Sequence, residues 1–287
     1  MVCCTRICSG SSAVMPIRIG FVSRHDVDSL RLVESLVGYL GSRAEVFVEP
    51  EVADKLGMLG TPPEAMDAMR LDLIVSVGGD GTILRTIHRM RDPIPILGIN
   101  MGTLGFLVDV EPAEAFAVLD SLLLGFQADE RSRLKVLLNG QSLTPATNEV
   151  ALMTASPAKM IEFEIIVDGS LMEDFRADGV IIATSTGSTA YAMSAGGPIV
   201  DPRVDAIVLV PMAPFKLSSR PWVIPGDSVI EVRLKLPEKD ALVVIDGQST
   251  TTISVQDSVV ISKAETPARF VKVSRDGFYA KVKSKLT

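Results

Sequence analysis

Cysteine, histidine and aromatic residues are all scarce in this sequence. Its 287 residues include three cysteines and two histidines, and aromatic residues account for 5% of the chain. The cysteines all lie near the amino terminus, at Cys3, Cys4 and Cys8, and their spacing matches no tetrahedral zinc pattern. A core without cysteine cannot depend on disulfides, so we expect a cytoplasmic protein. His25 and His88 give no metal-binding cluster in the sequence, and no metal site built from protein side chains is expected.

Long hydrophobic runs and an excess of positive charge are also missing. Hydrophobic residues make up 47% of the chain, yet no apolar run approaches the roughly 20 residues that span a bilayer. The net charge is -7, and Lys and Arg form no basic stripe with interleaved aromatic residues. We therefore expect neither a membrane nor a nucleic acid as a partner. If a ligand carries phosphates, local groups such as backbone N–H must bind them.

Hydrophobic periodicity divides the chain into two parts. Strand and helix patterns alternate up to about residue 126, which predicts a doubly wound, Rossmann-like α/β domain over residues 15–126. Short alternating runs follow, together with the hairpin signal Asp168-Gly169, and predict an antiparallel β-rich domain, a β-sandwich, over residues 127–267. We expect residues 1–14 to be a flexible extension and residues 268–287 to be a tail that returns to the first domain.

The stretch GGDGT, residues 78–82, lies between the apolar strand pattern LDLIVSV and the helical pattern TILRTIHRM. Glycines permit positive φ and let a ligand approach the main chain. The first N–H groups of the helix, with Thr82 as its predicted N-cap, favour an anion at this point. The combination predicts a phosphate site. It is neither a Walker loop nor a G-x-G-x-x-G fingerprint.

A carboxylate at Asp80 would repel phosphate electrostatically, so its presence at a phosphate site indicates a specific role. Asp80 could accept a hydroxyl proton during phosphoryl transfer, or help to hold a metal that neutralises phosphates. The alternative is a plain turn in which Asp80 bonds its own backbone.

GGDGT resembles the motif of a kinase superfamily that includes NAD kinases, diacylglycerol and sphingosine kinases, and phosphofructokinases. Further stretches resemble the NAD kinase family in order and spacing: NMGTLGFL (100–107), NEV (148–150), FRADGVIIATSTGSTAYAMSAGGPIV (175–200) and IDGQ (245–248). The resemblance extends from about residue 70 to residue 278. It implies phosphorylation of the 2′-hydroxyl of NAD's adenosine ribose by ATP or polyphosphate, with a divalent metal, Mg²⁺, arriving with ATP. It also implies a homodimer or homotetramer.

The same resemblance assigns roles to residues. It implies that Asp80 is the catalytic base. The residues it assigns to ligand binding are Asp80, Gly81, Asn148, Glu149, Lys159, Arg176, Asp178, Thr189, Ala190, Tyr191, Ala192, Met193, Ser194 and Gln248. Arg85 is a further candidate that would face either the phosphates or solvent.

Each assignment has a simpler alternative. TSTGSTAY, in which Gly187 would allow a tight turn, could be a Ser/Thr-rich loop, and Lys159 and Arg176 could be ordinary solvated charges. Asp178 and Asp246 precede glycines and could be turn formers, and we interpret Asp246 as mainly structural.

Two departures from the family pattern stand out. Ser185 replaces the usual proline and is expected to loosen the entry to its loop, while Phe215 and Lys216 replace a polar pair in a Pro-His-Ser/Thr stretch. Lys216 could supply a phosphate charge instead. The alternative functions are a diacylglycerol-type lipid kinase and a non-catalytic dinucleotide sensor. The sequence leaves open the phosphoryl donor, the choice between NAD and NADH, and regulation.

Overall fold

The computed structural model describes residues 2–4, 16–102, 105–156, 159–216, 218–235, 240–273 and 277–286. The chain divides into two compact units, one formed by Met1–Glu130 with Ala268–Thr287 and the other by Arg131–Pro267. Within the expected amino-terminal extension Val2–Cys4 form a strand, and the rest of that segment lies outside the described residues. Among the described residues, no helix combines the length and apolar character needed to cross a membrane.

The secondary structure of the described residues comprises strands and short helices. The strands are β1 Val2–Cys4, β2 Ile17–Ser23, β3 Ala44–Val48, β4 Leu73–Gly78, β5 Ile96–Asn100, β6 Phe126–Arg131, β7 Leu134–Leu138, β8 Gln141–Ser142, β9 Glu149–Thr154, β10 Ile161–Val167, β11 Ser170–Ala177, β12 Gly179–Thr184, β13 Ala206–Met212, β14 Trp222–Pro225, β15 Ile230–Leu234, β16 Ala241–Ile245, β17 Ser249–Ile253, β18 Ser258–Lys263 and β19 Ala268–Val271. The α-helices are α1 Val27–Leu40, α2 Pro50–Leu56, α3 Pro63–Ala68, α4 Asp80–His88, α5 Ala115–Leu124, α6 Tyr191–Ser194 and α7 Phe278–Leu286.

The first unit contains a seven-stranded sheet in the order β1-β6-β19-β5-β4-β2-β3. The pairs from β3 through β2, β4 and β5 to β19 are parallel, and β1 pairs with β6 in the antiparallel sense. All six residues of β4 are buried, as expected for a parallel strand covered on both faces. Gly78 at the end of β4 pairs with Asn100 at the end of β5. The GGDGT and NMGTLGFL segments therefore leave the sheet side by side, at the carboxyl ends of its strands.

Helix α1 illustrates how local sequence builds the first unit. Asp26 is its N-cap and accepts a hydrogen bond from the backbone N–H of Ser29 at 3.1 Å. Buried apolar side chains recur at helical spacing, and they join the core of the sheet: Leu30, Val33, Leu36 and Leu40.

The second unit consists of two six-stranded antiparallel sheets, ordered β11-β10-β15-β18-β7-β8 and β14-β13-β12-β9-β16-β17. Inward-facing residues of both sheets form one hydrophobic cluster, in which the rings of Phe163 and Phe175 lie 5.8 Å apart. The predicted turn between β10 and β11 is confirmed, with φ of 50° at Asp168 and 76° at Gly169. An α/β unit and a β-sandwich unit are thus present, as the predicted fold class requires.

Candidate active site

The glycines around Asp80 serve a different purpose from the predicted one. Helix α4 begins at Asp80 with Gly79 as its N-cap, so the assignment of Thr82 as N-cap was wrong. The expectation of positive φ was also wrong, since Gly78, Gly79 and Gly81 all lie outside that region. Gly78 is needed because a Cβ there would lie 2.4 Å from the hydroxyl oxygen of Thr82. At Gly79 and Gly81 an added Cβ would meet no described atom within 4 Å, and the bare backbone there borders open space.

The carboxylate of Asp80 accepts three hydrogen bonds from one backbone segment. The N–H of Phe106 donates to Oδ2 at 2.7 Å, and those of Leu107 and Val108 donate to Oδ1 at 3.0 and 3.2 Å. We call Asp80 with these three residues the Asp80 centre. Gly105 precedes them because a Cβ at this position would lie 2.0 Å from Oδ1 of Asp80. These distant partners contradict the alternative of a plain turn in which Asp80 bonds its own backbone.

Gly81 and Arg85 follow Asp80 on α4 but differ in their surroundings. Gly81 is exposed in the first turn, where backbone N–H groups have no helical acceptor. Nη2 of Arg85 donates to the backbone oxygen of Ser23 at 2.9 Å and lies 3.2 Å from Oε1 of the buried Glu49. The side chain of Arg85 is 33% exposed. This guanidinium therefore links α4 to the ends of β2 and β3.

Sequence reasoning missed one group of potential metal ligands. His25, Glu49 and Glu51 each offer a ligand atom, and these atoms lie within 4.8 Å of one another. The three residues lie on two segments that only the parallel pairing of β2 with β3 brings together, so no motif revealed them. Glu49 also accepts the N–H of Ser23 at 2.6 Å and pairs with Arg85, which provides a structural reason for its burial.

In the second unit, Asp246 holds the segment that begins β9. Its carboxylate accepts the N–H groups of Thr147 and Asn148, each at 2.7 Å, and that of Glu149 at 3.0 Å. Asp246 is 6% exposed and adopts φ of 49° in the turn before β17. We call these four residues, together with Tyr191, the Glu149 cluster. These bonds give Asp246 a structural task, and a mainly structural role stays a prediction.

The Glu149 cluster contains hydrogen-bonding groups that are not satisfied. Oγ1 of Thr147, Oδ1 of Asn148 and Oε2 of Glu149 are buried and have no hydrogen-bond partner among the described residues. Burial, and then the nearby charge of Asp246, raise the pKa of Glu149 to about 8, although the backbone N–H of Tyr191 donates to its carboxyl group. A buried polar atom without a partner costs about 1–3 kcal/mol. The cluster therefore holds unused capacity to bind a polar ligand.

The segment from Thr189 to Ser194 lies against this cluster. Gly187 makes the approach possible, since a Cβ there would lie 2.0 Å from the backbone oxygen of Asn148. Its φ is not positive, so close packing rather than a tight turn explains the glycine. The segment continues into the short helix α6, and its residues differ in exposure. Thr189 and Ala192 are buried, Ala190 and Met193 are half-buried, and Tyr191 (39% exposed) and Ser194 are exposed.

Ser185 does not loosen the entry to this loop as predicted. Its side chain is buried, and its hydroxyl donates to the backbone oxygen of Val204 at 2.5 Å and lies 3.2 Å from that of Ala206. These bonds anchor the segment without proline.

The other predicted ligand-binding residues fall into two places. Gln248 is exposed in the turn that contains Asp246, near the Glu149 cluster. Asp178 lies near the opposite end of β12, because Ala183 pairs with Glu149 and Gly179 pairs with Met153. Ala183 is five positions after Asp178 along extended chain, which corresponds to about 16 Å.

Arg176 and Lys159 are exposed near the Asp178 end of the sheet rather than the Glu149 end. The guanidinium of Arg176 lies 5.7 Å from the ring centroid of Phe215, whose side chain is 70% exposed. One of the two departures from the family pattern thus contacts a predicted binding residue. Lys216 is exposed beside it.

Glu149 is expected to make folding stability depend on pH. The folded protein keeps its proton up to about pH 8, whereas the unfolded chain releases it near the ordinary pKa of 4.5. Stability therefore falls as pH rises through this window, by up to about 1.4 kcal/mol per pH unit. Urea unfolding between about pH 5 and pH 8.5 should show a flatter dependence for Glu149→Gln than for the unmodified protein. The exposed Glu265→Gln is the matched control, and an identical slope in all three proteins would contradict the expectation.

Comparison with known proteins agrees with the two-unit organisation. Residues 41–125 match the ATP-NAD kinase N-terminal domain, and residues 147–273 match the ATP-NAD kinase C-terminal domain. An NAD kinase of Methanosarcina barkeri is 54% identical over 271 residues, which cover 94% of this chain and 98% of that protein. An NAD kinase of Methanothermobacter thermautotrophicus is 48% identical over 272 residues, which cover 94% of this chain and 96% of that protein.

Two solved structures resemble this one over most of its length. The NAD kinase from Archaeoglobus fulgidus in complex with ATP is 34% identical, with a TM-score of 0.79, and the match covers 93% of this chain and 99% of that chain. Yeast NADH kinase complexed with NADH is 25% identical, with a TM-score of 0.88, and the match covers 95% of this chain and 88% of that chain. The fold class and the family resemblance predicted from the motifs are both confirmed. The chain belongs to the ATP-NAD kinase family and is an enzyme that transfers a phosphoryl group to NAD.

Proposed function

We propose that this enzyme transfers the terminal phosphoryl group of ATP to the 2′-hydroxyl of NAD's adenosine ribose, with Asp80 as the proton acceptor. The observation that carries the proposal is the fixed orientation of the Asp80 carboxylate. Three backbone N–H groups hold it at the carboxyl end of β4, beside the bare backbone of Gly79 and Gly81. In open α/β sheets, ligands bind at this end of the strands. A carboxylate oriented there is in place to receive a proton from an alcohol.

The Glu149 cluster supports dinucleotide binding. A ribose presents neighbouring hydroxyl groups, each of which donates one hydrogen bond and accepts others. Oδ1 of Asn148 is a buried acceptor, and Oε2 belongs to the carboxyl group of Glu149, which can donate when protonated; neither oxygen has a described partner, so both match such a ligand. Tyr191 is 39% exposed and offers a ring on which a base can stack. We assign the adenosine half of NAD to this cluster and to the segment from Thr189 to Ser194.

The remaining predicted residues are proposed to bind the ligand less directly. Gln248 lies beside the Glu149 cluster, and Gly81 offers exposed backbone next to Asp80. Lys159, Arg176 and Asp178 form a separate polar region of the second unit. Arg85 is one third exposed and retains room for a phosphate contact beside its pair with Glu49.

ATP is the proposed donor, with Mg²⁺ as the accompanying metal. The structure of the related Archaeoglobus fulgidus enzyme in complex with ATP supports ATP over polyphosphate. Magnesium usually keeps several waters and binds through substrate phosphates and one or two carboxylates. Three of the about four acceptor sites of the Asp80 carboxylate are occupied, and the free one is assigned to the ribose proton, so the phosphates of ATP would hold the metal. When bound, the metal would neutralise phosphate charge.

We also propose that the enzyme works in the cytoplasm as a homodimer or homotetramer, and that it acts on neither nucleic acids nor membranes. The family resemblance supports the assembly. The net charge of -7 argues against polyanion binding.

The test is incubation of the purified protein with NAD, Mg²⁺ and ATP, followed by an NADP-specific dehydrogenase. NADP formation with matching ADP release is expected. NAD-dependent ADP release without NADP would place the phosphate on another hydroxyl. NAD binding without ADP release would favour a non-catalytic sensor, and phosphorylation of diacylglycerol in preference to NAD would favour the lipid kinase. Parallel reactions with NADH and with polyphosphate identify the preferred substrates.

A further inference from the structure

The carboxy-terminal helix α7 lies against the loop that holds Asp80. Lys281 forms an ion pair with Asp109, the residue after Val108. Nζ of Lys285 lies 3.8 Å from the ring centroid of Phe106. Phe106 and Val108 both donate backbone N–H bonds to the Asp80 carboxylate. Each lysine therefore contacts the segment that orients Asp80.

The two lysines project from the same face of the helix. They are four residues apart, the spacing at which helical side chains are neighbours. Lys283 lies between them in sequence but is rotated from either by about 200° around the helix axis. Lys283 is exposed, whereas only 17% of the side chain of Lys281 is exposed. The helix thus presents two cations on one side and a third on another.

Electrostatics link both lysines to Asp80. Burial lowers the pKa of Lys281 and that of Lys285, and in each case the negative charge of Asp80 acts in the opposite direction. Both ammonium groups are therefore within reach of its field. Partial burial of an ammonium is unfavourable unless an anion offsets it. Asp109 supplies one such anion, and a phosphate ligand would supply more.

We propose that Lys281 and Lys285 bind the phosphoryl group that is transferred at Asp80. The inference rests on the proposed role of Asp80 as proton acceptor. In that reaction the bond between the terminal phosphorus and the bridging oxygen of ATP breaks, and its electron pair leaves with ADP. A new bond forms between this phosphorus and the ribose oxygen, whose proton passes to Asp80. The transferring group spreads negative charge over three oxygens, which two nearby ammonium groups stabilise.

This role also resolves the electrostatic conflict at GGDGT. Asp80 repels phosphate, and the protein as a whole is acidic, with a net charge of -7. Two lysines from the far end of the chain compensate locally for that repulsion. The ammonium group of lysine binds phosphate as a point charge, without the planar, bidentate geometry that arginine uses. The pair therefore complements the backbone N–H groups at the start of α4.

The test compares Lys281→Gln, Lys285→Gln and the double variant with Lys283→Gln, which removes the same charge from another face of α7. Steady-state rates are measured as NAD-dependent ADP release, and calorimetry measures NAD binding. The double variant is expected to lose about 10- to 100-fold in kcat. This loss is smaller than the roughly 10²- to 10³-fold loss seen when an enclosed hydrogen-bond donor to a transition state is removed. Its Kd for NAD should stay within about twofold, and Lys283→Gln should retain the kcat of the unmodified protein.

Two further variants separate phosphate binding from simple anchoring of the helix. Asp109→Asn removes the ion pair but keeps both cations, and Lys281→Arg keeps the charge. If the lysines act on phosphate, both variants retain most of kcat. Equal losses in Asp109→Asn and Lys281→Gln would overturn the inference, as would unchanged kcat in the double variant. NADP formation is assayed separately. ADP release without NADP would overturn only the proposed phosphorylation of the 2′-hydroxyl and would leave the role of the lysines standing. A lack of NAD-dependent ADP release would overturn both the proposed function and the role of the lysines.

Discussion

Replacement of Asp80 by Asn is expected to lower kcat for NAD phosphorylation by about 10²- to 10⁴-fold, the usual contribution of a general base. Asparagine is nearly isosteric with aspartate but cannot accept the proton of the ribose hydroxyl. It also has one acceptor oxygen, so it cannot keep all three bonds to Phe106, Leu107 and Val108. The stability cost should be about 1–2 kcal/mol, which is small beside the loss of rate. Turnover and NAD binding are measured on the same preparation.

Gly105→Ala is the matched control, because it displaces the carboxylate and keeps its charge. Its Cβ would lie 2.0 Å from Oδ1 of Asp80, so the side chain or the loop must move. We expect kcat to fall in this variant too, with NAD binding retained, since proton transfer depends on position as well as on charge. Turnover close to that of the unmodified protein in an Asp80→Asn variant that still binds NAD would remove Asp80 from the chemistry.

Asp246→Ala is expected to lower the free energy of unfolding of the second unit by about 2–4 kcal/mol. The change leaves the N–H groups of Thr147, Asn148 and Glu149 without their acceptor at a buried position. Alanine also tolerates φ of 49° poorly, and left-handed backbone costs about 1–2 kcal/mol. Urea unfolding followed by far-UV circular dichroism measures the change.

Asp246→Asn separates the two causes. Asparagine adopts the left-handed conformation readily but cannot satisfy all three donors, so its stability should lie between that of the alanine variant and that of the unmodified protein. Because Asn148 and Glu149 are proposed to bind NAD, the KM for NAD should rise in both variants, with a smaller effect on kcat. A loss of kcat as large as that of Asp80→Asn, at unchanged stability, would contradict a mainly structural role.

Asp80 and Asp246 form a natural comparison. Each precedes a glycine, and each accepts three successive backbone N–H groups. Asp246 is buried and its pKa is raised by desolvation, so its position suits a structural acceptor. Asp80 is partly exposed beside open backbone, which suits a group that exchanges protons with a ligand. Access to the ligand, rather than the local hydrogen-bond pattern, separates the two roles.

The sequence alone determined the features that depend on local order. Alternating strand and helix patterns predicted the α/β unit, and the Asp168-Gly169 signal predicted a hairpin in the second unit, because backbone preferences act over a few residues. The motifs GGDGT and NEV identified the family, because phosphate binding restricts residue types at fixed spacing. Local reasoning was wrong where it explained glycines by positive φ, since close packing with distant atoms decides Gly78 and Gly187.

Only the tertiary structure decided which distant residues meet. Asp80 receives its hydrogen bonds from a loop 26 to 28 residues further along the chain, and the lysines of α7 reach the same centre from the carboxyl terminus. Strand register likewise placed Asp178 far from Glu149, although both belong to family motifs. Contacts of this kind depend on which strands become neighbours and on where the carboxy-terminal helix packs. Hydrophobic periodicity predicts the type of each element but not its neighbours in the fold.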